Sequence, residues 1–159
     1  MFLTAETEFG LSLLRHAPES QSLVVSPLSV MFALAMVQLG SKGSTKSQIN
    51  SLLSKDGSDS EIVEHYSRLS KEIVEARNGV QTRIGNGFFL NKDFQIEKDY
   101  ENAVTKKYSA KVESLDFSKV DEAAKIIDGF ISNVTEGKIH DMVNAESVSG
   151  LDWKKQRRG

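Results

Sequence analysis

The sequence contains no cysteine, which excludes a disulfide framework and thiol chemistry and leaves the redox compartment open. It has no excess of positive charge. Twenty basic residues stand against 22 acidic ones, a net charge of −2, so neither nucleic acid nor an anionic membrane is favoured as a partner. Proline occurs twice, at Pro18 and Pro27, and no internal repeat or low-complexity segment is present. No basic stretch followed by a long apolar core opens the chain. Met1 to Leu14 therefore does not read as a secretion signal, and a cytoplasmic location is the expectation. What is there suits one soluble globular domain: 159 residues, 39% hydrophobic and 26% charged. The charge is uneven. Asp152 to Gly159 holds four basic residues and one acidic, and the remainder holds 16 against 21.

The most informative stretch runs from Leu23 to Thr45. Leu23 to Val25 reads as a brief strand. Ser26 supplies an N-cap oxygen, and Pro27 fits the first helical position, where its missing N–H costs nothing. From Leu28 to Leu39 the chain is apolar on every side of a helix, interrupted by Ser29 and Gln38, and Gly40 is the expected stop. A helix apolar all round is enclosed by protein or by lipid. This one is about a dozen residues, short of the ~20 that span a bilayer, so it predicts the central buried helix of a soluble domain.

Val25-Ser26-Pro27-Leu28-Ser29, Ala33-Leu34-Ala35-Met36 and Leu39-Gly40-Ser41-Lys42-Gly43-Ser44-Thr45 together resemble the serpin motif around that family's second helix. Ile84-Gly85-Asn86-Gly87-Phe88-Phe89-Leu90 resembles a strand of its main sheet, with glycine in place of alanine on both sides of the asparagine. Asn133-Val134-Thr135-Glu136-Gly137-Lys138-Ile139-His140-Asp141 resembles the run that closes the helix lying across that sheet. The resemblance covers Glu8 to Met142 and corresponds to the N-terminal portion, less than half, of a serpin domain. The implied fold is α+β: the N-terminal helices, about two sheet strands and a short strand, an incomplete domain over residues 1–142. Residues 143–159 read as a non-homologous polar and basic tail, disordered, with Trp153 its only aromatic side chain.

The remaining elements follow from pattern. Glu6 to His16 is moderately helical. Thr45 and Gln48 stand at capping-box spacing, as do Ser58 and Glu61. Ile62, Tyr66, Leu69 and Ile73 mark one face of a long helix that Asn78-Gly79 ends. Val80, Thr82, Ile84, Phe88 and Leu90 share one face of a strand. Gly85 and Gly87 on the other face imply a close approach and a loosening of up to ~1 kcal/mol each. Ile96 to Tyr108 is a helix and Val112 to Phe117 a second strand. Ser118 caps a last helix whose apolar face is Ala123, Ile127, Phe130, Ile131 and Val134.

Candidate chemistry is sparse. A serine nucleophile needs a base within hydrogen-bond reach, and His16, His65 and His140 fall in no catalytic signature, so they read as surface residues. Gly40 to Thr45 lacks phosphate-loop spacing and follows a helix; Gly85-Asn86-Gly87 opens none. Asp56, Asp59 and Glu61 do not follow calcium-loop spacing. No catalytic, cofactor or metal residue is expected. Asn133-Val134-Thr135 is a glycosylation sequon expected to be unused inside a helix. Lys154, Lys155, Arg157 and Arg158 fit a nuclear address, a nucleic-acid contact or, in preference, a charged tail.

The resemblance implies more. It places Ser26 and Ser29 in the shutter, the polar cluster beneath the parting sheet strands, although capping is the reading favoured by the residues. Some serpins bind glycosaminoglycans through the fourth helix; here Arg68, Lys71 and Arg77 alternate with Glu61, Glu64, Glu72 and Glu75, a solvated face. Extracellular members leave that location open. The family inhibits serine or cysteine proteases by inserting a cleaved reactive-centre loop into the main sheet. No such loop is recognised here, so the expectation is a non-inhibitory chain. The alternative is an interaction fragment that self-associates, or pairs with a full-length serpin or a chaperone through open strand edges. Leu28, Val30, Met31, Phe32, Leu34, Met36 and Val37 should be partly uncovered, each forfeiting part of the roughly 1.5–3 kcal/mol that burial supplies. A partly folded helical assembly is expected.

Overall fold

The computed structural model describes residues 2–20, 22–75 and 79–149. In order, these form α1 (Phe2–Arg15), α2 (Pro27–Gly40), α3 (Gly43–Leu53), α4 (Asp59–Val74), β1 (Gly87–Asn91), α5 (Lys98–Tyr108), β2 (Lys111–Leu115), α6 (Val120–Val134) and α7 (Ala145–Ser149). They divide into two compact units. The first holds the described residues up to Thr82 with Asn102–Ser109, and the second Arg83–Glu101 with those from Ala110 onward.

In the first unit α2 is the hub, in contact with α1, α3 and α4. Met31, Phe32, Ala35 and Met36 are buried, whereas Val30 and Val37 remain about two-fifths exposed. Coverage of α2 is therefore better than expected at Met31, Phe32 and Met36, and partial, as expected, at Val30 and Val37. Tyr66 of α4 is fully buried; its hydroxyl donates to the Leu53 carbonyl at 3.0 Å, and its ring meets Phe32 edge-on. That bond satisfies a carbonyl at the end of α3 which the helix itself leaves unpaired. Burial pushes the Tyr66 pKa up. Gln38, the polar break in α2, is fully buried. Its Nε2 donates to Asn50 Oδ1 at 3.0 Å, Asn50 Nδ2 donates to Asp59 at 2.7 Å, and Lys46 closes the series on Asp59 at 2.5 Å.

The second unit is built on a parallel pair, β1 with β2, in register Gly87↔Lys111 to Asn91↔Leu115. The extended face expected over Val80 to Leu90 thus shortens to Gly87–Asn91, and residues 81–86 carry no strand. The reason is the partner: β2 is only five residues long, and a strand extends no further than its ladder. Leu115, Phe117, Ala123, Ala124 and Val148 form the buried cluster, with Phe89, Ile127 and Val143 packed on it. The close approach expected at the glycines is present. A methyl on Gly85 would meet Val134 at 3.1 Å, and one on Gly87 would meet Phe89 at 2.6 Å and Phe130 at 3.0 Å. The glycines admit α6 onto the strand, a role beyond the loosening their entropy implies.

Several boundaries differ from the pattern reading. Leu23 to Val25 has no strand pairing among the described residues. Gly40 is the last helical residue of α2, and the left-handed glycine is Gly43, at φ 57°. Gly43 starts α3 two residues before Thr45, so the Thr45–Gln48 capping box does not form. The Ser58–Glu61 box does form, with both reciprocal bonds. α4 ends at Val74, ahead of Gly79; Asn78 lies outside the described residues. Ser118 does not cap α6: its hydroxyl donates to Asp116 at 2.6 Å, and Lys119 occupies the cap position.

Residues 143–149 also depart from the polar tail expected from position 143. Asn144 and Ser147 cap each other reciprocally, at 3.0 Å in both directions, and start α7, whose Val148 is 1% exposed. Residues 150–159, with Trp153, Lys154, Lys155, Arg157 and Arg158, lie outside the described residues.

Substituting Gly87→Ala forces two aromatic rings apart and is expected to destabilise the chain by about 1–3 kcal/mol. Gly85→Ala, facing one valine that can turn, should cost less than about 1 kcal/mol after the gain in chain stiffness. Urea unfolding followed by circular dichroism measures both, and equal effects would contradict the packing described.

Candidate functional site

The N-terminus of α2 carries Ser26 and Ser29, which the family resemblance places in a functional cluster. Ser26 is extended, at φ −113° and ψ 95°, and its Oγ accepts from the Ser29 N–H at 3.3 Å. The Ser29 hydroxyl donates to the same Oγ at 2.8 Å. Pro27 follows as the first helical residue, and a methyl added to Gly10 of α1 would meet its ring at 3.4 Å. Both serines are exposed, and the segment leading to them is too: Val24 is 99% exposed, Leu23 48% and Val25 40%. Their hydroxyls engage each other and the helix end, and each has one local, structural use.

None of the described serine hydroxyls is bonded to a histidine. His16 Nδ1 meets the Ser12 carbonyl at 2.8 Å, and His140 Nδ1 meets Asp141 at 2.6 Å. His65 is not the surface residue expected. It is half-buried, stacked on Phe2 at 4.0 Å between ring centres, edge-on to Tyr66, and its Nε2 meets Glu6 at 2.9 Å. No described group of three His, Cys, Asp or Glu residues is placed to hold a metal ion. Asp59 is taken up by Lys46 and Asn50, and the Lys46 ammonium, then Asn50, hold its carboxyl below the usual range. Glu61 serves the Ser58 cap, which lowers its pKa. No described helix is long and apolar enough to cross a membrane.

On α4, Arg68 pairs with Glu72 at 3.7 Å one turn on, a mixed face; Arg77 lies outside the described residues. Asn133 is exposed on the last turn of α6, while the sequon's Thr135 donates its hydroxyl to the Ile131 carbonyl at 2.8 Å. The turn that follows closes α6 with two bonds, Glu136 N–H to Asn133 and Gly137 N–H to Ser132, around a left-handed Glu136 and Gly137. Glu136 is also ion-paired with Arg83. Near β2, Lys92 donates to Asp116 at 2.6 Å, and that bond, helped by Ser118, holds the Asp116 carboxyl at about 2.

Sequence pattern missed three side chains of consequence. The Gln38 amide had one signal, a polar residue in an otherwise apolar helix. His65 and Asp128 had none, because both act through contacts distant in sequence: His65 with Glu6, and Asp128 with the backbone N–H groups of Asp141, Met142 and Val143.

Comparison with known proteins accounts for this arrangement. The family model described as "Serpin (serine protease inhibitor)" matches residues 4–152. Mouse (Mus musculus) alpha-1-antitrypsin 1-1 is 32% identical over 151 residues, covering 91% of this chain and 35% of that protein. Bovine (Bos taurus) serpin B6 is 33% identical over 153 residues, covering 92% of this chain and 40% of that protein. The crystal structure of Serpin48 from the insect Tenebrio molitor superposes with a TM-score of 0.82 at 22% identity, over 91% of this chain and 40% of the other. The chain thus spans between a third and two-fifths of the length of these relatives. The match runs ten residues past Met142 and takes in α7.

If Ser26 acts as a cap, Ser26→Ala should weaken the first turn of α2 by about 1 kcal/mol, whereas Ser29→Ala, which keeps the cap, should cost under about 0.5 kcal/mol. Amide exchange at Ser29 and Val30 reads the difference; indistinguishable rates in the two variants would remove the capping assignment.

Proposed function

Since this chain belongs to the serpin family, we propose that its 159 residues are the helical N-terminal portion of a serpin domain and do not inhibit a protease by themselves. The observation that supports this is the width of the sheet. Among the described residues it has two strands, β1 and β2, each of five residues. Inhibition by the family route requires a bait loop to enter between strands as a new strand, and so requires a wider sheet and the loop itself. Inhibition of a serine or cysteine protease is then a property of a polypeptide that also supplies those parts. In that setting Ser26 and Ser29, now exposed, would sit beneath the added strands. The chain's own chemistry is structural, without catalysis.

A second reading rests on a different observation. Among the described residues, β1 and β2 each have one side without a strand partner, and Leu23 to Val25 is exposed. Such edges accept strands from another chain, so the same residues would bind a full-length serpin, a chaperone or a second copy.

Incubating the purified 159-residue chain with serine and cysteine proteases tests the first reading. The expected result is cleavage or no reaction. A covalent complex that survives SDS would overturn it. Co-purification of the tagged chain with a full-length serpin, abolished by Val24→Pro, would favour the second.

A further inference from the structure

Helix α6 is followed by a return segment, residues 135–144, that leads to α7. Three of its residues have left-handed backbones: Glu136 at φ 53°, Gly137 at 75° and Asp141 at 57°. For Glu136 and Asp141 this is a conformation that side chains disfavour, so something must hold it. Apolar packing does not: Ile139 is 44% exposed and Met142 66%. Glu136 is held by the turn that closes α6 and by its ion pair with Arg83; at Asp141 the hold is polar and converges on one side chain. Asp128, in the middle of α6, accepts from the Asp141 N–H at 3.0 Å through Oδ2, and from those of Met142 at 2.7 Å and Val143 at 3.2 Å through Oδ1. Immediately beyond these amides, Val143 and Val148 pack on Leu115, Phe117, Ala123 and Ala124.

We propose that Asp128 is the latch of a releasable strap, and that losing its carboxylate frees residues 140–149 together, beyond Ile139, which Thr135 holds separately, and uncovers the apolar cluster beneath α7. The geometry favours release as one piece. Val148 belongs to a helix of five residues, too short to hold itself, so its burial depends on the chain being delivered to it. The charged groups around Asp128 are Asp121 and Lys125 on its own helix and His140 and Asp141 on the strap; α7 contributes the uncharged Ala145. The three N–H bonds, that of Asp141 first, hold the Asp128 carboxyl below the ordinary range. Because its folded pKa is depressed, the latch contributes fully above the unfolded value near ~4 and is lost as pH falls through the lower folded value. At neutral pH the strap is closed.

Amide hydrogen exchange on the 159-residue chain tests this with Asp128→Asn, which keeps the shape but turns one acceptor into a donor facing other donors. Exchange at Asp141, Met142, Val143 and Val148 should rise about tenfold or more, with β1, β2 and the rest of α6 changed by less than about twofold. Lowering the pH of the unmodified chain from about 6 to below the depressed folded pKa of Asp128, after correction for intrinsic rates, should give the same pattern, and this arm decides the matter if the variant does not fold. Unchanged exchange over 141–149 would overturn the proposal. So would an equal rise throughout the second unit, which would make Asp128 a general stabiliser.

Discussion

A helix that is apolar on every side needs cover on every side, and the rest of this structure follows from how far α2 obtains it. α1, α3 and α4 cover one half, where Met31, Phe32, Ala35 and Met36 are buried. The Tyr66 hydroxyl closes that side by pairing the Leu53 carbonyl. Gln38 ties the end of α2 into a polar series that reaches Asp59 and Lys46. A buried amide that loses its partner costs about 1–3 kcal/mol, so this series also fixes which way α2 is turned. The other half stays open. Val30, Ala33 and Val37 lie one helical face apart by spacing, and Leu23 to Val25 continues the apolar surface along the chain. Each side chain left there forgoes part of the roughly 1.5–3 kcal/mol that full burial would contribute.

The second unit solves a different problem, a helix laid on a sheet of two strands. Two parallel strands of five residues make few backbone bonds and offer little apolar area. α6 supplies the missing cover, and it can do so only because Gly85 and Gly87 leave room for Val134 and Phe130. The strap then adds Val143 and Val148 to the same cluster. Both units therefore lean on cover supplied from outside the local element. Family membership gives that a simple context: the chain spans between a third and two-fifths of the relatives it matches.

Much of this was legible where the chemistry is local. The Ser26 cap, Pro27 at the first helical position and the Ser58–Glu61 box involve residues three apart, and all three are in place. The α4 stripe of Ile62, Tyr66, Leu69 and Ile73 was legible from period alone; Ile62 and Tyr66 are fully buried, and Leu69 and Ile73 are half-buried. Failures came where a neighbour decides. The strand expected from Val80 stops short because β2 offers no further partner, and Leu23 to Val25 finds none. α3 began early because Gly43 can take a left-handed turn that no side chain signals. α7 was missed because five mostly polar residues show no period, although Asn144 and Ser147 carried a cap signal at the right spacing. At the candidate site, the Ser26 cap was legible because it is local, whereas the contacts of His65 and Asp128 span 59 and 13 to 15 residues and leave no trace in sequence.

The open face of α2 is best tested by titrating the monomeric 159-residue chain with a hydrophobic dye, alongside a Val30→Lys, Val37→Lys double variant. Dye binding by the parent, lost in the variant with helix content unchanged, is the predicted result. A parent that binds no dye, or a variant whose helices unfold because the lysines entered a buried face, would contradict it.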